Sequence, residues 1–430
     1  MKNIKGNRGI TLIALAVTII VILILAGVTI DAVFSENGII NKAKEAANAM
    51  NNAVANDQAE LNDLLEELNE IMNSEWKNNI EIPDPEPEKP SNIEDVTEIQ
   101  EETVQVEDEY GNKVTIPKGF EVVEEEGTTV PEGIVIQDKD GNQFVWIPVG
   151  RVYKDNTGTN YSDIQLGRYT FDRNSGSPTL KQAAYTEGNP KNYENLIKIK
   201  EKNTYAIYFQ EYSVRENKDG ILSNEKDALN AIAKDLNGFV GSVKKNCGYY
   251  LGRYEASYGS GSSVADYKPL SKVSTSTTFS KSKVGSLWNN VTQLDAAKIS
   301  RNMYNNDNSV GVESDLINSY AWDTAIVFIQ EMENTNYANK TSTNNSLTNT
   351  GTTGDEVCNI HDMASNCFEW TTEYSDLKLS DYVYPCTYRG VGVENSSTSE
   401  ATTAWRAGER VDVYRKFTGF RIVIYIKWFN

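Results

Sequence analysis

The sequence predicts an α+β protein, with an N-terminal membrane helix and stalk leading to a loop-rich head. Three observations lead there. Residues 10–30 form a run of 21 residues without a charge. From residue 103 onward, short alternating apolar runs are split by Gly-Asn turns, which is the pattern of hairpins. Beyond residue 130 the chain is rich in Gly, Asn, Ser and Tyr, and only residues 224–238 and 319–334 carry helical patterning.

A chain of 430 residues is too long for one core, so two or more units are expected. The formal charge of −20 is unevenly spread, because residues 81–132 hold seventeen acids against three bases. Such a stretch reads as solvated linker, and its charge repels phosphate backbones, which argues against nucleic-acid partners. The chain has one histidine, His361. Zinc sites of two or three imidazoles and two-His-one-carboxylate iron sites are therefore excluded. His361 itself reads as a hydrogen-bonded structural residue. Cys247, Cys358, Cys367 and Cys386 include no CxxC pair. They stand either as disulfides, with three alternative connectivities, or as buried thiols.

As a helix, residues 10–30 span about 32 Å, close to the hydrocarbon thickness of a bilayer. Lys2, Lys5 and Arg8 precede the run, and Asp31 and Glu36 follow it. The positive-inside rule then keeps the N-terminus cytoplasmic and sends the head to the cell surface. No A-x-A-like site ends the run, which separates it from a secretory signal peptide. The junction KGNRG-ITLIALAVTII resembles the type IV prepilin signature. The resemblance implies a leader over residues 1–9, cut by a prepilin peptidase between Gly9 and Ile10. It also implies that the helix packs against other pilin-like subunits. Where most pilins carry Glu, this chain has Ala14, which suits a minor or tip-located pseudopilin better than a major filament subunit.

Ile39, Ala43, Ala46, Met50 and Ala53 continue a helical seam, and Leu61, Leu64, Leu68 and Ile71 resume it. Residues 31–78 therefore read as a stalk helix. Pro83, Pro85, Pro87 and Pro90 set an extended acidic spacer over residues 79–102. A small hairpin region occupies residues 103–129, and the head occupies 130–430.

Within the head, NIHDMASNCFEWTTEYS (359–375) resembles the NxxDMxGNxxEWT stretch of the formylglycine-generating enzyme (sulfatase-modifying factor) family. GIVIQDKDGNQFVWIPVG, GYYLGRYEAS, NSYAWDTAIVFIQ, YRGVGV and TGFRIVIYI resemble further family segments in the same order. The resemblance implies a variant of the C-type lectin fold. In the active enzymes, two cysteines beyond an RGGS element hold copper. The corresponding stretch here, ENSSTSEATTAWRAGERVD, contains none, and copper(I) requires soft thiolates. A head without catalysis and without a redox cofactor is the expectation.

By the same resemblance, a calcium ion would lie at the turn before Trp370, held by main-chain oxygens near Ser365 and Cys367 and by the side chain of Glu369. The other reading of Glu369 is a carboxylate hydrogen-bonded to backbone. Arg389, Arg406 and Arg421 match family positions that support the fold through ion pairs or hydrogen bonds. Lectin-fold proteins build their ligand face from loops before the closing strands. That places a binding surface at Tyr374, Tyr388, Asn395, Trp405, Arg406 and Glu409. The resemblances together imply a pilin-like or pseudopilin-like surface protein whose head binds an extracellular glycan or protein. A second reading is a structural component of a pilus or type II-like secretion apparatus with no ligand of its own. The third, a formylglycine-type oxidase, is disfavoured by the missing cysteines.

Overall fold

Asp108 and Asp138 close two hairpins through the same hydrogen bonds. Asp108 Oδ1 accepts from the Asn112 main-chain N–H at 2.8 Å, and Oδ2 accepts from Asn112 Nδ2 at 2.9 Å. Asp138 repeats both contacts with Asn142 at 2.8 Å. Gly111 and Gly141 sit inside these turns at φ +82° and +76°, where a Cβ would be strained. The expected hairpins therefore form, Val104–Glu107 with Lys113–Ile116 and Val135–Asp138 with Gln143–Pro148.

The computed structural model describes residues 90–427, apart from 196, 201–207, 212–235, 334, 343, 380–381 and 394–400. All of them belong to the unit Glu88–Asn430. The predicted leader with its Gly9–Ile10 cut, the membrane helix, the stalk and Asn395 lie outside the described residues. Among the described residues, no helix is long and apolar enough to cross a membrane.

The α+β expectation for the head is overturned, because β-structure dominates. Two six-stranded sheets and six two-stranded ones accompany three α-helices among the described residues: α1 (Leu236–Asn246), α2 (Gln293–Arg301) and α3 (Ser319–Glu333). The reason is local pairing of segments that read as loop. Tyr161–Ile164 lies against Gly150–Tyr153, and Pro178–Ala183 against Gly167–Phe171. Strands this short show too little alternation to stand out in sequence.

The first large sheet is antiparallel, in the order Val312–Leu316, Ile422–Ile426, Gly248–Gly252, Gln143–Pro148, Val135–Asp138, Phe120–Val122. Ile422–Ile426 and Gly248–Gly252 are buried at every position. Helix α1 covers part of this sheet with Leu236, Phe239, Val240 and Val243, which recur at helical spacing. Phe239 meets Tyr249 and Tyr425 edge-on, with ring centres 5.3 and 5.7 Å apart.

The second sheet runs Ile199–Lys200, Tyr208–Glu211, Phe368–Ser375, Cys386–Arg389, Arg406–Glu409, with Thr418–Phe420 parallel to Phe368–Ser375. Every residue of Phe368–Ser375 is buried, Glu369 and Glu373 included. Arg421 stands where the chain leaves Thr418–Phe420 and enters Ile422–Ile426, and so at the passage from one sheet to the other.

Helix α3 meets the expectation for residues 319–334. It starts at Asn318, whose Oδ1 accepts from the Ala321 N–H at 2.9 Å. It is buried from Ser319 through Ile329, Asp323 included. Of the helix expected at 224–238, only its end overlaps α1, since 224–235 lie outside the described residues. Helix α2 has no counterpart in the sequence reading, although Thr292 caps it by accepting from the Asp295 N–H at 3.1 Å.

Candidate ligand cleft

A charged residue inside a fully buried helix or strand must find partners, since desolvating a lone charge is costly. Asp323 and Glu373 find three arginines. Glu373 Oε1 accepts from Arg168 Nη2 at 3.0 Å and Arg406 Nε at 2.9 Å, and Oε2 accepts from Arg389 Nη1 at 3.1 Å. Asp323 Oδ1 accepts from Arg389 Nη2 at 2.6 Å, and Oδ2 accepts from Arg406 Nη2 and from the Tyr169 N–H at 2.8 Å. All five side chains are completely buried. Burial pushes the Glu373 carboxyl up, but the charges of Arg406, Arg389 and Arg168 outweigh it and hold it at about 2.

The spare donors of this network reach main-chain carbonyls in three separate segments. Arg168 Nη1 donates to Ile197 O at 2.8 Å. Arg389 donates to Trp405 O at 3.1 Å and Ala404 O at 3.3 Å. Arg406 Nη2 donates to Tyr169 O at 3.3 Å. Those segments wall a cleft of about 610 Å³. The Gly167–Phe171/Pro178–Ala183 hairpin supplies Phe171, Arg173 and Lys181, the strand Ile199–Lys200 and its approach supply Lys198 and Lys200, and the 402–405 turn supplies Trp405. The turn is also tied down by Thr403 N–H to Lys340 O at 3.1 Å and Ala404 N–H to Ala338 O at 3.0 Å. The hairpin tip is docked by Asn339 Nδ2, which donates to Asp172 O at 2.8 Å. Buried charge thus presets the walls of an open site.

Four bases and one acid, Asp172, line the cleft of a chain whose net charge is −20. Asp172 Oδ1 is occupied by the main-chain N–H groups of Ser175 at 2.8 Å and Asn174 at 3.0 Å. The Ser175 N–H first, then the Asn174 N–H, hold its carboxyl below the usual range. Lys198 pairs with Asp376 at 3.2 Å, both partly exposed, an interaction worth little. Lys181 and Lys200 have no ion-pair partner among the described residues.

Among the described residues of the predicted surface, only Trp405 lines the cleft; it is half-buried, backed by Phe368 and Tyr388 at 5.8 Å each. Tyr388 is buried and its hydroxyl accepts from Arg415 at 2.8 Å. Arg415 also pairs with Glu409 at 3.0 Å. Tyr374 is buried beside Cys386 in the second sheet, and Arg406 belongs to the buried network. The lysines escaped the sequence reading, although LIKIKEK, with cations at alternate positions, carries a strand pattern that exposes one charged face.

The predicted calcium ligands lie in a second buried group. Both oxygens of Glu369 accept from Arg421, Oε1 from Nη2 at 2.7 Å and Oε2 from Nε at 3.1 Å. A fixed cation already occupies the carboxylate, so this donor set does not fit a calcium ion. The partner of Glu369 is therefore a guanidinium, and Arg421 also donates to the carbonyls of His361, Gly252 and Arg253 at 2.7, 2.8 and 3.1 Å. Ser365 Oγ donates to Thr353 Oγ1 at 3.0 Å. The Cys367 N–H donates to Glu255 Oε1 at 2.8 Å. Burial, then Glu255, pushes the Cys367 thiol up. All four cysteines are free thiols, Cys247 exposed and the others buried. His361 stacks on Tyr254, ring centres 4.8 Å apart, with Nε2 3.1 Å from Glu356 Oε1. Burial lowers its imidazole, partly offset by the charge of Glu356.

These shifts predict how stability depends on pH. An unfolded Glu titrates near 4.3, and Glu373 in the fold titrates at about 2. Between those values the unfolded chain binds more protons, so a contribution of roughly 3 kcal/mol, present above that window, is lost as pH falls through it. Glu255 acts with the opposite sign. Burial, then the charges of Asp362 and Glu369, raises its carboxyl well above the usual range, so its contribution is full in acid and fades as pH rises. Melting temperature is expected to peak in weakly acidic buffer and fall on both sides. An acid-side change in midpoint between about pH 5 and pH 3 that is the same in Glu373→Gln as in the wild type would contradict the role given to Glu373.

Compared with known proteins, the chain matches no protein-family model and no curated protein.

Proposed function

We propose that this chain is a pilin-like or pseudopilin-like surface protein whose head binds an extracellular ligand without chemical turnover. Residues 10–30 would anchor it, with Gly9 and Ile10 flanking the leader cut, and the head would be related to the formylglycine-generating enzymes. The observation that carries the reading is the cleft at Trp405, whose three walls are fixed from beneath by a buried ion network. Binding sites gain affinity when their geometry is set before the ligand arrives. The absence of turnover rests on the cysteine-free stretch after Arg389 and on the single histidine.

The test is binding of the full-length chain, in phosphatidylcholine nanodiscs, to a panel of glycans, surface proteins and whole cells. Saturable binding that Trp405→Ala weakens about tenfold or more is the expected result. Binding to nothing on the panel would favour the reading of a structural component of a pilus or secretion apparatus.

A further inference from the structure

Resting on that reading of the head as a binding module, we infer that the cleft takes an acidic carbohydrate, a segment of uronic-acid or sulfated sugars. Charge comes first. Arg173 and Lys181 from the hairpin, Lys200 from the strand Ile199–Lys200 and Lys198, paired with Asp376 just before it, converge on one open volume. They do so on a chain with 61 acids against 41 lysines and arginines. The single acid among them already gives one carboxylate oxygen to two main-chain donors. Such a local reversal of sign concentrates anions at the opening and repels them elsewhere on the surface.

The apolar part of the lining selects among anions. Phe171 and Trp405 present aromatic surface inside the same volume, and Asn174 and Thr402 add polar groups. The electron-rich face of an aromatic ring suits the C–H face of a sugar, whereas a carboxylate side chain of a peptide gains little from it. The volume of about 610 Å³ lies within the range of small-ligand sites and is unlike a flat protein interface. Lys198 and Lys200 stand on either side of buried Ile199, and both line the cleft. A row of cations beside aromatic surface matches a chain in which acidic groups recur along a sugar backbone.

The experiment uses the full-length chain in phosphatidylcholine nanodiscs and four probes: polygalacturonate, heparin, neutral dextran and poly-L-glutamate. Polygalacturonate or heparin is expected to bind and dextran not to bind. The double variant Lys181→Gln/Lys200→Gln, at two exposed positions, is expected to weaken that binding about tenfold. Added salt should weaken it further. Trp405→Ala is expected to weaken acidic-sugar binding while leaving any residual affinity for poly-L-glutamate unchanged. Poly-L-glutamate binding as tightly as the acidic sugars would overturn the carbohydrate assignment. Dextran, or a protein, binding in a way that needs Trp405 but ignores the lysines would overturn the inference and leave the binding reading standing. No binding by any probe or any member of the wider panel would overturn both.

Discussion

Glu373→Gln is expected to cost the head about 3–5 kcal/mol, a large share of the stability of an ordinary domain. The wild-type side chain meets three guanidinium groups with its two oxygens. Replacing it leaves Arg389 and Arg406 sharing Asp323 and leaves Arg168 without a carboxylate, all of them buried away from solvent. A neutral amide has one acceptor oxygen and brings two N–H groups toward donors. Urea unfolding of the full-length chain in detergent gives the number. The variant should also lose protection from amide exchange in the segments that wall the cleft, because the same arginines hold the carbonyls of Tyr169, Ile197, Ala404 and Trp405. A loss below about 1 kcal/mol, with exchange unchanged, would mean that the network does not set those walls.

Arg421→Met is expected to cost a similar amount, about 3–5 kcal/mol, with a different pH signature. Methionine fills comparable space but leaves Glu369 without its cation and takes the guanidinium donor from the carbonyls of Gly252, Arg253 and His361, of which that of Arg253 keeps the His361 N–H. Glu255 lies in the same buried surroundings, where burial and then the charges of Asp362 and Glu369 raise the cost of ionising it. Without the guanidinium, Glu369 can be accommodated only in its neutral form. The variant should therefore recover part of its stability as pH falls from about 8 to about 5. Equal losses at both pH values would show that packing, and not the unpaired carboxylate, dominates the effect.

Local chemistry was legible in the sequence where the partners are close along the chain. Asp108 with Asn112 and Asp138 with Asn142 sit four residues apart, and their hairpins follow from turn chemistry alone. Helix α3 has a long apolar pattern and an Asn cap. The assignment of Arg389, Arg406 and Arg421 to ion pairs or hydrogen bonds came from resemblance and agrees with their burial. What stayed hidden depends on distance in sequence. Lys181 and Trp405 share a cleft only because the second sheet brings the 197–200 and 404–406 segments under one set of buried arginines. No periodicity records that. The balance of strand over helix was hidden for another reason. A strand such as Lys268–Leu270 or Ile199–Lys200 is too brief to show a period, so its pairing is decided by the partner strand.

The placement of Thr418–Phe420 and Ile422–Ile426 sets the order in which the molecule can be completed. Ile422–Ile426 lies between Val312–Leu316 and Gly248–Gly252, and Thr418–Phe420 runs beside Phe368–Ser375. Each partner emerges from the ribosome well before the segment that joins them. Until residues 418–426 follow, both sheets have an open edge and apolar strands without neighbours, which is the state most exposed to wrong pairing. Maturation is therefore late and governed by distant contacts, which slows it. A head truncated before residue 418 would be an unfinished intermediate and not a smaller version of the same protein.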